Sequence, residues 1–109
     1  MSLKESKCEA CTIDAPLVSD SEASALLKEL DGWVIEGVSG INQLIKTYKF
    51  SNYAESLDFS NKVADLAESE DHHPKIVLEY GSVEVSWWSH KIKGLHKNDF
   101  ICAAKTDLI

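Results

Sequence analysis

PKIVLEYGSVEVSWW, residues 74–88, decides the fold. Two runs rich in Ile, Val, Leu and Trp flank Gly81-Ser82, and alternation along each run is the period of a half-buried strand. Read as a two-residue loop with Gly first, Gly81-Ser82 makes a type II′ hairpin turn. With Tyr80 opposite Val83, Ile76 faces Trp87 and Leu78 faces Val85 on one apolar face. On the other face Val77 meets Ser86, Lys75 meets Trp88, and the next pair outward is His73 with His90. Opposed side chains lie about 4.5–5.5 Å apart at Cβ, so this register brings together two histidines seventeen positions apart.

The rest of the chain supplies what such a hairpin packs against. Ser19 with Glu22 three residues on is a capping box, and Ala23, Leu26, Leu27 and Leu30 follow at helical spacing. Asp31-Gly32 is read as the helix stop. Trp33 to Ile35 starts a strand, Gly37 to Gly40 is a turn, and Ile41 to Phe50 is a second strand. A second helix, capped by Ser51, runs to about Ser69. Tyr53, Leu57, Ala64 and Ala67 form one stripe on it, and Phe59, Val63 and Leu66 form an adjoining one. Together these are wider than the core-facing stripe of a surface helix, which fits either a deeply buried helix or one that packs on its own sheet and also on a second subunit. A last helix starts near Lys97 with Ile101, Ala104 and Leu108 inward. The expected fold is α+β: a four-stranded antiparallel sheet with three helices packed on one face, in the order α-β-β-α-β-β-α. Residues 1–18, without periodicity, are expected to be a poorly ordered leader to a single domain over 19–109.

At 109 residues, with 44% hydrophobic and 27% charged, the chain has ordinary globular composition for one domain. Eighteen acidic residues against eleven basic give a net charge of −7, which repels phosphate backbones and anionic lipid. There is no arginine, and the densest basic stretch, Lys91 to Lys97, holds three lysines. Neither nucleic acid nor membrane is expected as a partner. The longest apolar run, Phe100 to Ala104, falls far short of the roughly 20 residues of a membrane span. The first twenty residues lack the apolar core of a secretory signal. These features lead us to expect a cytoplasmic protein, with presence in the nucleus left open. Cys8, Cys11 and Cys102 are an odd set, better read as reduced thiols than as a disulfide framework. Cys8 and Cys11 form a lone C-x-x-C with neither a second pair for zinc nor the strand–helix context of a redox motif.

The densest cluster of titratable groups is Glu68, Glu70, Asp71, His72 and His73, followed by Pro74, whose ring pins the chain direction. Three readings of the histidines stay open on residue type alone. They are solvated polar groups at a helix–strand junction; or His72, His73 and His90 with a carboxylate hold a metal; or the imidazoles move protons without one. Adjacent residues of an extended segment point opposite ways, so His72 and His73 chelate one ion poorly, and no H-x-x-x-H spacing is present. Imidazole, with an unperturbed pKa of about 6.5, is the side chain suited to giving and taking protons near neutrality.

The pattern Glu68 … His72-His73-Pro74 … Tyr80 … Ser89-His90 … Asp99 resembles the signature of the pterin-4a-carbinolamine dehydratases, a family that includes the dimerisation cofactor of a hepatocyte transcription factor. The likeness extends over about Ser19 to Leu108 and includes Gly32-Trp33 after the first helix. It implies dehydration of a 4a-hydroxytetrahydropterin to quinonoid dihydropterin, in tetrahydrobiopterin recycling, with a reduced pterin as substrate and neither cofactor nor metal. It further implies that His72, His73 and His90 are catalytic, with His72 and His90 as the acid/base pair and His73 chiefly positioning. By the same resemblance Glu68, Asp71, Pro74 and Ser89 bind substrate, and Asp99 supports His90 or caps the last helix. A homodimer or homotetramer is expected. The alternative function is a protein-binding module using the apolar face of helix 51–69. Four features depart from the family pattern: Trp87-Trp88 stands where smaller residues are expected, arginine is absent, the acidic leader carries the Cys8/Cys11 C-x-x-C, and His96 replaces a capping Ser. The last should weaken that cap by about 1 kcal/mol.

Overall fold

The computed structural model describes residues 17–90 and 92–109. The Cys8/Cys11 pair lies outside the described residues. The elements are α1 (Asp20–Leu27), β1 (Val34–Val38), β2 (Ile41–Lys49), α2 (Tyr53–Glu70), β3 (Lys75–Glu79), β4 (Ser82–Trp87) and α3 (Lys97–Thr106). The strands form one antiparallel sheet in the order β1-β2-β4-β3, so the α+β class and the α-β-β-α-β-β-α order expected from the sequence hold.

Local chemistry sets the element ends, and several differ from expectation. Ser19 does close the capping box: Glu22 N–H donates to Ser19 Oγ at 3.2 Å and Ser19 N–H to Glu22 Oε1 at 3.3 Å. The helix ends at Leu27, earlier than the expected stop at Asp31-Gly32. Gly32 instead turns the chain into β1 at φ +81°, where a Cβ would come 3.2 Å from Lys46 Cε. The β1–β2 turn is tighter than the expected Gly37–Gly40. Only Ser39 and Gly40 form it, with φ 53° and 80°, as a two-residue turn with both residues left-handed requires. Asn52, not Ser51, caps α2, because its backbone is extended (φ −155°) and its Oδ1 accepts from Glu55 N–H at 2.9 Å.

The hairpin register is the main correction. Glu79 pairs with Ser82, Leu78 with Val83, Ile76 with Val85 and Lys75 with Ser86. The loop is therefore Tyr80-Gly81, not Gly81-Ser82, and the positive φ of +77° falls on its second residue. Every pair is displaced by two positions from the expected one, and the ladder ends at Lys75 before reaching His73. A displacement of two keeps each side chain on its face, because the strand period is two. Ile76, Leu78, Val83, Val85 and Trp87 thus still build the core side.

That core joins Trp33, Leu44, Val83, Val85 and Trp87 of the sheet layer to Phe59, Val63 and Ala67 of α2 and to Phe100 and Ile101 of α3. Each large apolar side chain fully buried contributes about 1.5–3 kcal/mol. Ser56 and Ser60, also buried on α2, return their hydroxyls to the carbonyls of Asn52 and Ser56, each at 3.0 Å. Leu108, expected inward, is 62% exposed beyond the end of α3. On the outward side of α2, Tyr53 and Leu57 stay 46% and 43% exposed.

Two tertiary ties brace the ends of the molecule. Asp107, just past α3, accepts from Trp33 Nε1–H at 3.0 Å, from Lys46 Nζ at 2.8 Å and from Tyr48 Oη. Burial, then the hydrogen bond and charge of Asp107, push the Tyr48 phenol well above its ordinary range. At the other end Leu17 and Val18 strap the segment after β4: Val18 N–H donates to Leu95 O at 2.9 Å. A Cβ on Gly94 would meet Leu17 Cδ2 at 2.7 Å.

Candidate active site

The site grows from the end of α2. Asp71 ends that helix in the left-handed conformation, φ 50° and ψ 40°, and His72 N–H then returns to Ala67 O at 3.1 Å. This six-residue closure is the Schellman arrangement, here with Asp in the position that Gly usually fills. It throws the next residues sharply off the helix axis. His72 goes inward to 4% exposure, and His73 stays outside. Pro74, half-buried, then leads into β3.

His72 lies in a largely buried polar cluster and keeps a small exposed edge. Its Nε2 is 2.6 Å from Asp99 Oδ1, and its ring stacks on Trp87 with centroids 5.6 Å apart and planes 11° apart. Asp99, wholly buried in the first turn of α3, also accepts from Ser89 Oγ at 2.9 Å and from His96 N–H at 2.8 Å. His96 Nδ1 in turn accepts from Asn98 N–H at 3.1 Å. His96 and Asp99 therefore complete a capping box. The expected weakening of this cap does not apply, because an imidazole nitrogen serves as the acceptor a serine oxygen would have been.

His73 Nε2 is 2.7 Å from Glu68 Oε1, in the last turn of α2. His90 follows Ser89, whose N–H bonds Gly94 O at 2.8 Å and closes a small loop. Although the strand ladder does not pair His73 with His90, the two are joined directly, since His90 Nε2 lies 3.0 Å from His73 O. Trp88 lies against the His90 ring, with centroids 4.3 Å apart and planes at 30°.

These contacts close a circuit. It runs from His72 to Asp99, to Ser89, along one peptide to His90, back to the His73 carbonyl, and along one peptide to His72. Carboxylate and carbonyl oxygens only accept hydrogen bonds, so each of the three imidazoles carries its proton on Nε2 when neutral. Each Nδ1 is left as a lone pair without a hydrogen-bond partner among the described residues. The arrangement gathers three imidazole rings in one corner, with one deep ring tied to a buried carboxylate and two exposed ones.

Of the residues expected from the sequence, His72, His73, His90, Glu68 and Asp99 join through direct contacts. Ser89 is fully buried with its hydroxyl committed to Asp99, and Asp71 is exposed at the helix end. Sequence reasoning did not assign His96 its part in holding Asp99, although its position one residue before α3, three before Asp99, carried the capping-box signal. It read Trp87 as a core residue and Trp88 as a site-face residue stacking on substrate or narrowing the pocket, and the structure puts one against each of His72 and His90. Among the described residues no three His, Cys, Asp or Glu side chains form a metal-binding set, and no helix is long and apolar enough to cross a membrane.

Comparison with known proteins agrees with this picture over almost the whole chain. The family model described as Pterin 4 alpha carbinolamine dehydratase matches residues 16–109. A Vibrio vulnificus protein named for pterin-4-alpha-carbinolamine dehydratase is 59% identical over 107 residues, covering 98% of this chain and 97% of its own. One from Saccharophagus degradans bearing the same name is 57% identical over 105 residues, 96% of this chain and 93% of its own. Among solved structures, a transcriptional coactivator/pterin dehydratase from Brucella melitensis superposes with a TM-score of 0.76 at 29% identity, covering 85% of this chain and 97% of that one. With the family model spanning residues 16–109 and these relatives matching along nearly their whole length, the chain belongs to the pterin 4 alpha carbinolamine dehydratase family.

Proposed function

We propose that this chain is a hydro-lyase that converts a 4a-hydroxytetrahydropterin to quinonoid dihydropterin by histidine acid/base catalysis, in the recycling of tetrahydrobiopterin. The observation that carries the reading is the closed circuit of His72, Asp99, Ser89, His90 and His73, in which three imidazole Nδ1 atoms have no hydrogen-bond partner among the described residues. The substrate is a carbinolamine. Its N5 lone pair forms the new C=N bond to C4a as the C4a–O bond breaks. The departing hydroxide takes a proton from an imidazolium and leaves as water, and the proton on N5 passes to a neutral imidazole. Two rings of opposite protonation state suffice, and the net change is loss of one water. We assign these two roles to His72 and His90, and positioning of the pterin to His73, Glu68 and Asp71. The buried Asp99 carboxylate is suited to stabilise an imidazolium at His72, as a charge-assisted hydrogen bond does.

Assay of the purified chain with a 4a-hydroxytetrahydropterin tests this. His72→Ala and His90→Ala are expected to lower kcat by about 10²–10⁴-fold, the usual share of a general acid or base, and His73→Ala to act mainly on KM. Full activity in the triple variant, with the fold retained by circular dichroism, would overturn the assignment.

The exposed Tyr53 and Leu57 on α2 support a second reading, a protein-binding module. The name of the Brucella melitensis structure, which joins coactivator to dehydratase, is compatible with it. In that case the triple histidine variant would bind its partner as well as the parent chain does.

A further inference from the structure

We infer that Trp88 is the positioning residue of His90, an assignment that rests on the acid/base role proposed above. Each of the two rings given proton-transfer roles has an indole neighbour, and the two are held very differently. His72 is enclosed, tied to Asp99, and backed by Trp87, whose own Nε1–H is anchored on Thr106 Oγ1 at 3.1 Å. His90 is exposed, and among the described residues two contacts hold its ring: the 3.0 Å bond from Nε2 to the His73 carbonyl, and the face of Trp88. One hydrogen bond leaves a hinge. With Cγ tethered through Cβ and Nε2 tied to one oxygen, the ring plane can still turn about the line between them, which re-aims the Nδ1 lone pair. The half-buried indole, 4.3 Å away between centroids and itself packed against the core, removes that freedom. Trp88 therefore fixes where the His90 lone pair points, and it does so without making a hydrogen bond of its own to any described residue.

Misaiming a reacting group by about 1 Å costs up to about 10²-fold. Trp88→Ser, which keeps the His73 hinge, should lower kcat by about tenfold with KM within about twofold. Trp88→Phe, which restores a ring face, should recover most of that loss. In a His90→Ala background Trp88→Ser should have no further effect on kcat. A readout independent of turnover comes from proton NMR. The ring protons of His90 lie in the shielding cone of the indole, and they should move to the positions of an unstacked imidazole in Trp88→Ser. Unchanged kcat in Trp88→Ser would overturn the inference, as would a rise in KM at constant kcat or an equal loss in the His90→Ala background. If the parent chain itself fails to dehydrate the pterin, the proposed reaction falls. Unstacked His90 resonances in that same parent chain would then overturn the role of Trp88 separately.

Discussion

Asp99 has no exposed surface, yet it carries three hydrogen bonds: from the His72 imidazole, the Ser89 hydroxyl and the His96 backbone. Buried carboxylates persist when their lone pairs are filled in this way, and they become costly when one partner is lost. In Asp99→Asn the amide replaces one acceptor oxygen with a donor, and a donor facing His72 or Ser89 breaks the circuit. We expect that variant to lose about 1–3 kcal/mol of stability in urea denaturation and about 10²-fold or more in kcat. Wild-type turnover would mean that Asp99 serves the fold alone. Tyr48 gives a pH prediction. Its folded form holds the phenol proton more tightly than the unfolded chain does. Its contribution is therefore complete below a pH of about 10, the ordinary tyrosine value, and drains away as pH rises beyond it. Thermal unfolding followed from pH 8 to 11 should show a steeper alkaline loss in the parent chain than in Tyr48→Phe. Equal slopes would refute the coupling.

At the scale of elements, what could be read from the sequence was periodicity, and what could not was the exact placement of turns. Alternation in 74–88 gave the hairpin and the correct core face for Ile76, Leu78, Val83, Val85 and Trp87. It could not distinguish Gly81 as first loop residue from Gly81 as second, since both use a glycine at positive φ and both keep the faces. Likewise Ser51 and Asn52 are both good caps by type, and only the backbone angles at 52 choose between them. The histidine corner was legible as a set of residues, through hairpin register and through resemblance, but not as a set of bonds. The His73–His90 contact arises from a side chain reaching a carbonyl, which no ladder arithmetic supplies. Nor did helix propensity foretell a left-handed Asp71. Its strain is relieved by glycine, so Asp71→Gly should raise stability by about 0.5–1 kcal/mol after allowance for the more flexible unfolded chain. A loss of activity in the same variant would mark its carboxylate as a substrate contact, and unchanged or lowered stability would argue against strain there.

On the scale of the whole molecule, the sheet and α3 are locked at the end of that helix by Asp107, which gathers Trp33, Lys46 and Tyr48 onto one carboxylate. Asp107→Ala strands the indole N–H of a tryptophan that is 4% exposed. We expect a loss of about 1–3 kcal/mol in urea denaturation. The outward stripe of α2 carries a different expectation. Tyr53 and Leu57, both more than two-fifths exposed, are apolar surface that a second copy of the chain would cover. We expect a homodimer or homotetramer by sedimentation, and Leu57→Lys to shift it toward monomer. A monomer at micromolar concentration in the parent chain would remove that expectation.

The two carboxylates that organise α3 stand under unequal pressure. The contacts of Asp107 tie α3 to the sheet, away from the histidine corner, so drift there can be compensated by a substitution elsewhere that adds sturdiness. Asp99 begins the helix and serves the proposed chemistry with the same two oxygens. Selection for robustness and selection for turnover converge on it, and breeding a hardier version of this protein has no room to move at that position.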